Sequence, residues 1–437
     1  MNSEASEVRE VSPGYGFTAA KPALPVGYKQ TEVGVIPKDW DVLKFGSLAE
    51  IVRGKFSARP RNDPRFYGGD YPFLQTGDVT RSGSKISSFT QTLNEEGVKV
   101  SRLFPKGTLF FTIAANIGDV GISEFGAACP DSLVAISPNS IVDKVWLLYE
   151  LASRKEDFEA LASPGAQLNI NLEKLRPYLL PVPPLDEQRT IATALSDVDA
   201  LLEELDRLIA KKRDIKQATM QQLLTGQTRL PRFEGEWQEK QLGQLGQFLK
   251  GSGVKRDESQ TGSLPCVRYG EIYTLHHDIV RQFYSWISEP VAQTAVRIQK
   301  GDVLFAGSGE TKEEIGKSVT ISGYVEAYAG GDIVILRNNG LADPTFLGYA
   351  LNQPAINAQK ARFGQGDAVV HISASSLSQV TLHLPSLEEQ EAISLVLWDM
   401  DMEIDALEQR RAKTAALKQA MMQELLTGRT RLVNSAG

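Results

Sequence analysis

The chain is poor in the residues that most often carry chemistry. It holds two cysteines and four histidines among 437 residues. Cys129 and Cys266 stand in unrelated contexts with no CxxC spacing, which argues against a disulfide framework or a zinc site and suits a reducing cytoplasm. His276, His277, His371 and His383 form no HExxH pair, and no Ser, His, Asp constellation can be argued from them. Long apolar runs are missing as well. Residues 1–26 are rich in Ser, Glu, Ala, Pro and Gly and read as a disordered extension, with nothing fit for a signal segment or a membrane span.

Positive charge is in short supply too. A formal net charge of -7 argues against indiscriminate binding of nucleic acid over the whole surface. The stretch from Lys44 to Lys106 runs against that balance, with Arg53, Lys55, Arg59, Arg61, Arg65, Arg81, Lys85, Lys99 and Arg102 inside it. Catalytic strings also fail on inspection. Between Gly309 and Gly316 lie six residues, three of them glutamates, where a phosphate loop needs four and no repelling charge. Pro181-Val182-Pro183-Pro184-Leu185 lacks the Asn or Asp and the aromatic of an amino-methyltransferase motif, and Pro130-Asp131 lacks the acid-x-Lys pair of a nuclease. The chain reads as a binder.

What is present is a duplication. Residues 183 to 230 return without a gap as 385 to 432, so that Pro183, Leu185, Glu187, Gln188, Ile191, Leu195, Asp197 and Asp199 recur as Pro385, Leu387, Glu389, Gln390, Ile393, Leu397, Asp399 and Asp401. A period of about 200 residues is far beyond a solenoid unit and reports a duplicated domain. Each copied segment follows a variable one. The variable segments share landmarks, such as Phe73-Leu74-Gln75-Thr76-Gly77-Asp78 with Cys266-Val267-Arg268-Tyr269-Gly270-Glu271, but little sequence. Leu109 to Ile113, Val303 to Phe305 and Ile333 to Leu336 read as strands, and Val145 to Leu161 and Pro344 to Ala361 as helical.

The copied segments read as helices of about 40 residues, or about 60 Å at 1.5 Å per residue. A heptad counted from Ile191 places Ala194, Val198, Leu201, Leu205, Leu208 and Ile215 inward, with Leu195, Leu202 and Ile209 widening the stripe. In the second copy Ile393, Val396, Met400, Leu407, Leu417 and Met421 line up, joined by Leu397, Ile404 and Leu425. Ser386 and Glu389 suggest a capping box, and Gly226 and Gly428 stand where a left-handed helix terminator is wanted. A lone stripe this long would face water, so the two helices are expected to pair antiparallel. The fold class is then α+β: two globular mixed domains joined by two long antiparallel helices forming a coiled coil, with approximate twofold symmetry. The expected divisions are 27–184 and 229–385 for the globular domains, 185–228 and 386–430 for the helices, and 431–437 for a tail.

Recognition chemistry concentrates in the variable segments. Arg53, Lys55, Arg59, Arg61, Arg65, Arg81 and Lys85 interleave with Gln75, Thr76 and Asp78, and the second half offers Lys250, Lys255, Arg256, Arg268, Tyr269, Glu271, Tyr273, Lys312 and Lys317. Lysine and arginine hold phosphates, while Arg, Gln and the acids can read base edges. These are the candidate DNA-binding residues; no catalytic or metal-binding residue is expected.

The string from Gly27-Tyr28-Lys29-Gln30-Thr31 through Ile36-Pro37-Lys38-Asp39-Trp40, the helix starts Pro184-Leu185-Asp186-Glu187-Gln188 and Ser386-Leu387-Glu388-Glu389-Gln390, and the ends Leu223-Leu224-Thr225-Gly226 and Leu425-Leu426-Thr427-Gly428 together resemble the specificity subunits of type I restriction-modification systems. The resemblance covers residues 27 to 432. It implies a non-catalytic subunit that reads a split, asymmetric sequence in double-stranded DNA, one half per recognition domain, with the helices as a ruler for the gap. It further implies two methyltransferase subunits carrying S-adenosylmethionine, restriction/translocase subunits using ATP, adenine methylation directed by the subunit, no cofactor on this chain, no membrane and a cytoplasmic location. The alternative from the residues alone is a protein-protein scaffold with two globular ends on a coiled-coil connector.

Overall fold

In the computed structural model, which describes residues 24–162, 169–323, 326–366 and 368–432, the chain divides into two compact units. One contains residues 1–203 with 412–437, the other residues 204–411. Each unit therefore takes part of both long helices. Of the extension expected over residues 1–26 and the tail expected over 431–437, residues 1–23 and 433–437 lie outside the described residues.

The first unit is built on a five-stranded sheet in the order Ala49–Arg53, Leu133–Pro138, Leu109–Thr112, Val120–Ser123, Lys85–Ile86, antiparallel except for its last pair. Leu109–Thr112 and the first four residues of Leu133–Pro138 are buried on both faces, which is why they read as continuous apolar runs rather than alternating ones. The helices Lys144–Ser153 and Lys155–Leu161 cover one face. The helical stretch expected over Val145 to Leu161 is thus interrupted at Arg154, whose backbone leaves the helical region at ψ 22°. Asp41–Lys44 pairs with Leu179–Val182, so the start and finish of the domain meet just before the first long helix.

The second unit repeats the plan with other residues. Its main sheet runs Gly246–Lys250, Ile333–Asn338, Asp302–Ala306, Ser318–Thr320, all antiparallel, and Gln238–Gln241 pairs with Thr381–Leu384 before the second long helix. A further four-stranded sheet, Ser285–Ile287, Leu264–Val267, Ala327–Ala329, Val296–Ile298, has only small counterparts in the first unit, where Phe73 bridges Ala128 in parallel as Cys266 pairs Tyr328. The helix expected over Pro344 to Ala361 is two, Pro344–Ala350 and Pro354–Phe363, since Pro354 cannot continue the first.

The long helices are Leu185–Leu223 and Leu387–Leu425, 39 residues each, and both end on a glycine at φ 70°, Gly226 and Gly428. The inward stripe runs through Ile191, Leu195, Leu205, Ile209 and Met220 in one and Ile393, Leu397, Ile404, Met422 and Leu425 in the other. Leu201, Ile215 and Leu417, expected inward, are instead 39%, 42% and 57% exposed. Charged residues next to two of them, Lys216 and Lys418, turn inward to acids. In the first unit Lys418 meets Asp199 at 2.6 Å, and Ile191 and Leu195 share a core with Met422 and Leu425. In the second, Lys216 meets Asp401 at 2.6 Å, Arg411 meets Asp206 at 2.9 Å and Lys212 meets Glu403 at 2.7 Å. Partner numbers fall as residue numbers rise.

The copied motif at each helix start is a buried junction. Glu187, 3% exposed, accepts from Trp40 Nε1 at 2.9 Å and from Arg431 through both oxygens at 2.7 and 2.8 Å. Arg431 also holds Asp39, whose carboxyl it keeps below the usual range. In the second unit Arg229 clamps Glu389 through both oxygens at 2.5 and 2.6 Å, over the ring of Trp237. Isolated, either carboxylate would cost several kcal/mol to bury, so the bidentate arginine is the condition for its position. Gln188 and Gln390 close the corner, each accepting from the next domain helix's cap, Asp143 N–H and Asp343 N–H, and donating to Pro183 O and Pro385 O. The capping box expected of Ser386 is half formed: its hydroxyl accepts the Glu389 N–H at 3.3 Å, while the Glu389 carboxylate serves Arg229.

Candidate nucleic-acid interface

The basic stretch of the first domain gathers around one loop. Arg53 and Lys55 leave the edge strand of the sheet, and Arg59, Arg61 and Arg65 follow on an exposed turn. Their charges are not equally available. Arg61 donates through one nitrogen to both Asp131 carboxylate oxygens at 2.8 and 2.9 Å, Arg65 grips Asp63 at 2.7 Å, and Arg59 donates to the Ala58 carbonyl. Arg53 donates to the Asp131 carbonyl through Nε. Lys55 is exposed with no ion-pair partner among the described residues.

Beneath the edge strand lies a cleft of about 500 Å³ lined by Gly46, Glu50, Arg53, Arg102, Leu172 and Arg176. Arg176 reaches across to the Ile51 carbonyl, and Arg102 forms no ion pair among the described residues. Three guanidinium groups against one carboxylate make this a cationic cleft. Neither Arg102 nor Arg176 stands among the candidate DNA-binding residues: Arg102 belongs to the basic stretch without being singled out there, and Arg176 lies far along the chain. Only the fold assembles them.

Gln75, Thr76, Asp78 and Arg81 sit on or beside the short helix Thr76–Ser82. Asp78 is a correction to the candidate DNA-facing set. It is 2% exposed, accepts the Gln75 N–H at 2.8 Å and Arg81 at 2.5 Å, and so is committed to capping that helix. Glu271 is corrected for the same reason: 4% exposed, it accepts the Arg268 N–H at 3.2 Å and the Ser285 hydroxyl. Lys85 is turned to the first long helix, pairing Glu203 at 2.9 Å.

In the second domain Lys250, Lys255, Arg256 and Lys312 are exposed without ion-pair partners among the described residues, and Tyr269 presents 41% of its surface. Arg268 lies within 3.5 Å of Glu271. Tyr273 is half-buried with its hydroxyl enclosed, and Lys317 donates to the Tyr273 and His276 carbonyls at 3.1 and 3.3 Å, finishing the helix Tyr269–Thr274. Burial pushes the His276 imidazole down to about 4, so it is neutral. Tyr273 and Lys317 are thus corrections to the candidate DNA-facing set, the one enclosed and the other committed to the end of that helix.

Among the described residues no group of His, Cys, Asp and Glu could hold a metal ion, and no helix is long and apolar enough to cross a membrane. Both cysteines are free and buried, and burial raises both thiols. What the fold offers is two similar α+β domains with exposed cations and polar loops. That is the equipment of a binding protein with two unlike recognition surfaces.

Comparison with known proteins narrows the class. The family model described as the type I restriction modification DNA specificity domain matches residues 37–212 and again 234–417. The chain belongs to this family and carries its domain twice, as a type I specificity subunit with two target-recognition domains. It is 26% identical over 436 residues to a putative type I restriction enzyme MjaX specificity subunit of Methanocaldococcus jannaschii, covering 93% of this chain and 97% of that one. It is 23% identical to the MjaVIII specificity subunit of the same organism, over 91% and 95% of the two chains. The fold is similar to the crystal structure of a type I S subunit from M. genitalium, at a TM-score of 0.57, 18% identity and 88% and 96% coverage. A structure described in terms of complex assembly and conformational transition of the type I system matches at 0.56, 18% identity and 90% and 99% coverage.

Proposed function

We propose that this subunit reads a bipartite, asymmetric sequence in double-stranded DNA and directs adenine methylation and restriction by partner subunits. Two methyltransferase subunits supply S-adenosylmethionine chemistry and restriction/translocase subunits use ATP, while this chain binds neither cofactor and works in the cytoplasm. Lys55, Arg102, Lys250, Lys255, Arg256 and Lys312 hold phosphates, and polar loops of each domain face the grooves. The observation that carries this reading is the pair of domains with a shared strand plan and different exposed side chains, each joined through the same buried junction to a long helix.

The two helices act as an antiparallel coiled coil that sets the gap between half-sites. The ion pairs Asp199–Lys418, Asp206–Arg411 and Lys216–Asp401 support it, since partners descend on one helix as they ascend on the other. A stiff spacer fixes both distance and rotational phase along the duplex, as half-site spacing does in dimeric readers. Co-expression with the cognate methyltransferase and sequencing of the resulting methylome tests both points. The expected result is a split motif with one methylated adenine pattern per half. Inserting one turn, about 4 residues or 6 Å, after Ala210 and in register in the partner helix should lengthen the unread gap while both halves stay the same. An unchanged gap in a folded, active variant removes the ruler.

A further inference from the structure

Both domains build the same loop at the same place and finish it differently. In the first, the strand Leu109–Thr112 runs into Ile113 to Asp119. Ile113 and Ile117 are buried at 0% and 2%, and only Ala115 and Asn116 at the tip are exposed. The base is pinned from several sides. Thr112 N–H donates to the Asp119 carbonyl and Gly118 N–H to the Thr112 carbonyl, Ile170 N–H donates to the Ile113 carbonyl at 2.8 Å, and Ala114 bridges Asn169. Gly118 has φ 89°, and a Cβ there would stand 2.9 Å from Lys155 Cγ.

In the second domain the strand Asp302–Ala306 runs into Gly307 to Lys317. Ile315 is buried, and Ile372 N–H donates to the Gly307 carbonyl at 3.0 Å where Ile170 served before. Ser308–Gly309 pairs Val370–His371, the counterpart of the Ala114 bridge. Gly316 has φ 70°, and its Cβ would stand 3.1 Å from Lys360 Cδ. The Ile-Gly base resting on a lysine is therefore common to both. The tip is not: Ala115 and Asn116 in one, the exposed run Glu310 to Glu314 in the other.

A frame kept constant while its tip changes is what a protein with two different half-sites requires. The tip in the first domain is also strained, since Ala115 sits at φ 62°, a left-handed backbone that an alanine rarely adopts. Strain of that kind persists only where the surroundings over-determine it. Here they do: Thr80 on the helix Thr76–Ser82 donates to Asp119 at 2.5 Å, Lys155 reaches the same carboxylate at 2.6 Å, and Asn116 Nδ2 donates to Thr80 Oγ1 at 3.0 Å. That bond uses one amide hydrogen and ties the side chain to the helix Thr76–Ser82. The second amide hydrogen and Oδ1 have no partner among the described residues, and this is the donor-acceptor pair that meets N7 and the N6 amine of adenine in the major groove.

We infer that this loop is the base-reading element of the first domain and that Asn116 is its specificity-determining residue, reading a purine edge of adenine type. The inference rests on the DNA-reading function proposed above and names where that reading occurs. Its test is the methylome of cells expressing the chain, or its Asn116→Ala or Asn116→Ser variant, with the cognate methyltransferase. The expected result is that the half of the motif read by the first domain becomes degenerate at one position, with discrimination there falling roughly 10- to 100-fold, the value of one bidentate pairing with a base, while the other half is unchanged. An identical motif in both variants overturns the inference. So does complete loss of methylation with the complex still assembled on a sizing column, because that marks a structural role. Absence of any split motif for the unsubstituted chain would instead overturn the proposed function itself, so the two failures are distinguishable.

Discussion

Replacing Lys418 by methionine tests what fixes the register of the two long helices. In the first unit the Lys418 ammonium lies 2.6 Å from Asp199 Oδ1 and 5.2 Å over the Tyr149 ring, while the Tyr149 hydroxyl donates to Asp199 Oδ2 at 2.7 Å. Methionine keeps the apolar stem in the stripe and removes only the charge. The Asp199 carboxylate then stays between the helices with a phenol as its remaining hydrogen-bond partner among these groups. Breaking one side of a fully buried pair costs about 3–5 kcal/mol. Because Asp199 and Lys418 are 12% and 23% exposed, solvent screens part of this, and roughly 2 kcal/mol remains. Loss of the cation over the ring adds about 0.5 kcal/mol.

The expected destabilisation is therefore about 2–3 kcal/mol, read by urea unfolding and localised by hydrogen exchange in the segments 185–203 and 412–425. Adding Asp199→Asn should recover about half of it, because the neutral amide no longer needs the ammonium. A loss below about 0.5 kcal/mol, or strict additivity of the two substitutions, would refute the role given to this pair. The same arrangement recurs in the second unit as Lys216, Asp401 and Tyr349, with Lys216 2.6 Å from Asp401 and 5.1 Å over the ring. There Arg281 remains on Asp401 at 2.8 Å when Lys216 is removed. A polar residue at one inward position of paired helices is a known device for choosing one register over its neighbours.

Two further outcomes follow from charges in the domains. Lys360 is fully buried, donates to the Gly316 and Leu351 carbonyls at 2.7 and 2.9 Å, and burial pushes its ammonium down to about 7. A depressed folded value gives stability above the unfolded pKa that is lost as pH falls through the folded one, so wild type should gain on Lys360→Met between pH 7 and pH 10, by up to about 4 kcal/mol. A difference that stays flat across that range in parallel denaturation curves would show that the lysine does not titrate in the fold. Lys55→Ala combined with Arg102→Ala should weaken duplex binding and lower the slope of log K against log salt by about 2, near 0.9 for each phosphate no longer neutralised. An unaltered slope in titrations from about 50 to about 200 mM salt would place both side chains away from the DNA backbone.

The legible part of the molecule is what two copies of one sequence had to share. Both helices, their glycine ends and the sequence of domains follow from the repeat, and the strands around Phe110, Leu304 and Ile335 follow from apolar runs that only a sheet covered on both faces would bury. The register was harder to read because hydrophobicity alone favours Leu201, Ile215 and Leu417, whereas the structure places charged Lys216 and Lys418 between the helices. Their partners were nonetheless written in both copies: Asp199 matches Asp401, and Tyr149 in Leu-Leu-Tyr-Glu-Leu matches Tyr349 in Leu-Gly-Tyr-Ala-Leu. A lysine on an otherwise apolar stripe is tolerated only beside a buried acid, and a search of the repeat for such pairs would have found it.

The candidate site resisted for the opposite reason. Composition counts cations, while recognition depends on which of them the fold leaves unpaired. Arg61 and Arg65 are occupied by Asp131 and Asp63, and Asp78 and Glu271 are turned inward as caps, whereas Arg102 and Arg176 meet Arg53 only through the fold. The reading loop left the faintest trace of all, the shared pair Ile117-Gly118 and Ile315-Gly316. The lysine near each glycine is held differently: Lys155 meets the carboxylate of Asp119, which follows Gly118, whereas Lys317 follows Gly316 and Lys360 donates to the Gly316 and Leu351 carbonyls. The two loops therefore share an Ile-Gly base on a lysine but differ in the charge beside that base and in the length of the tip, and two specificities can be carried in those differences.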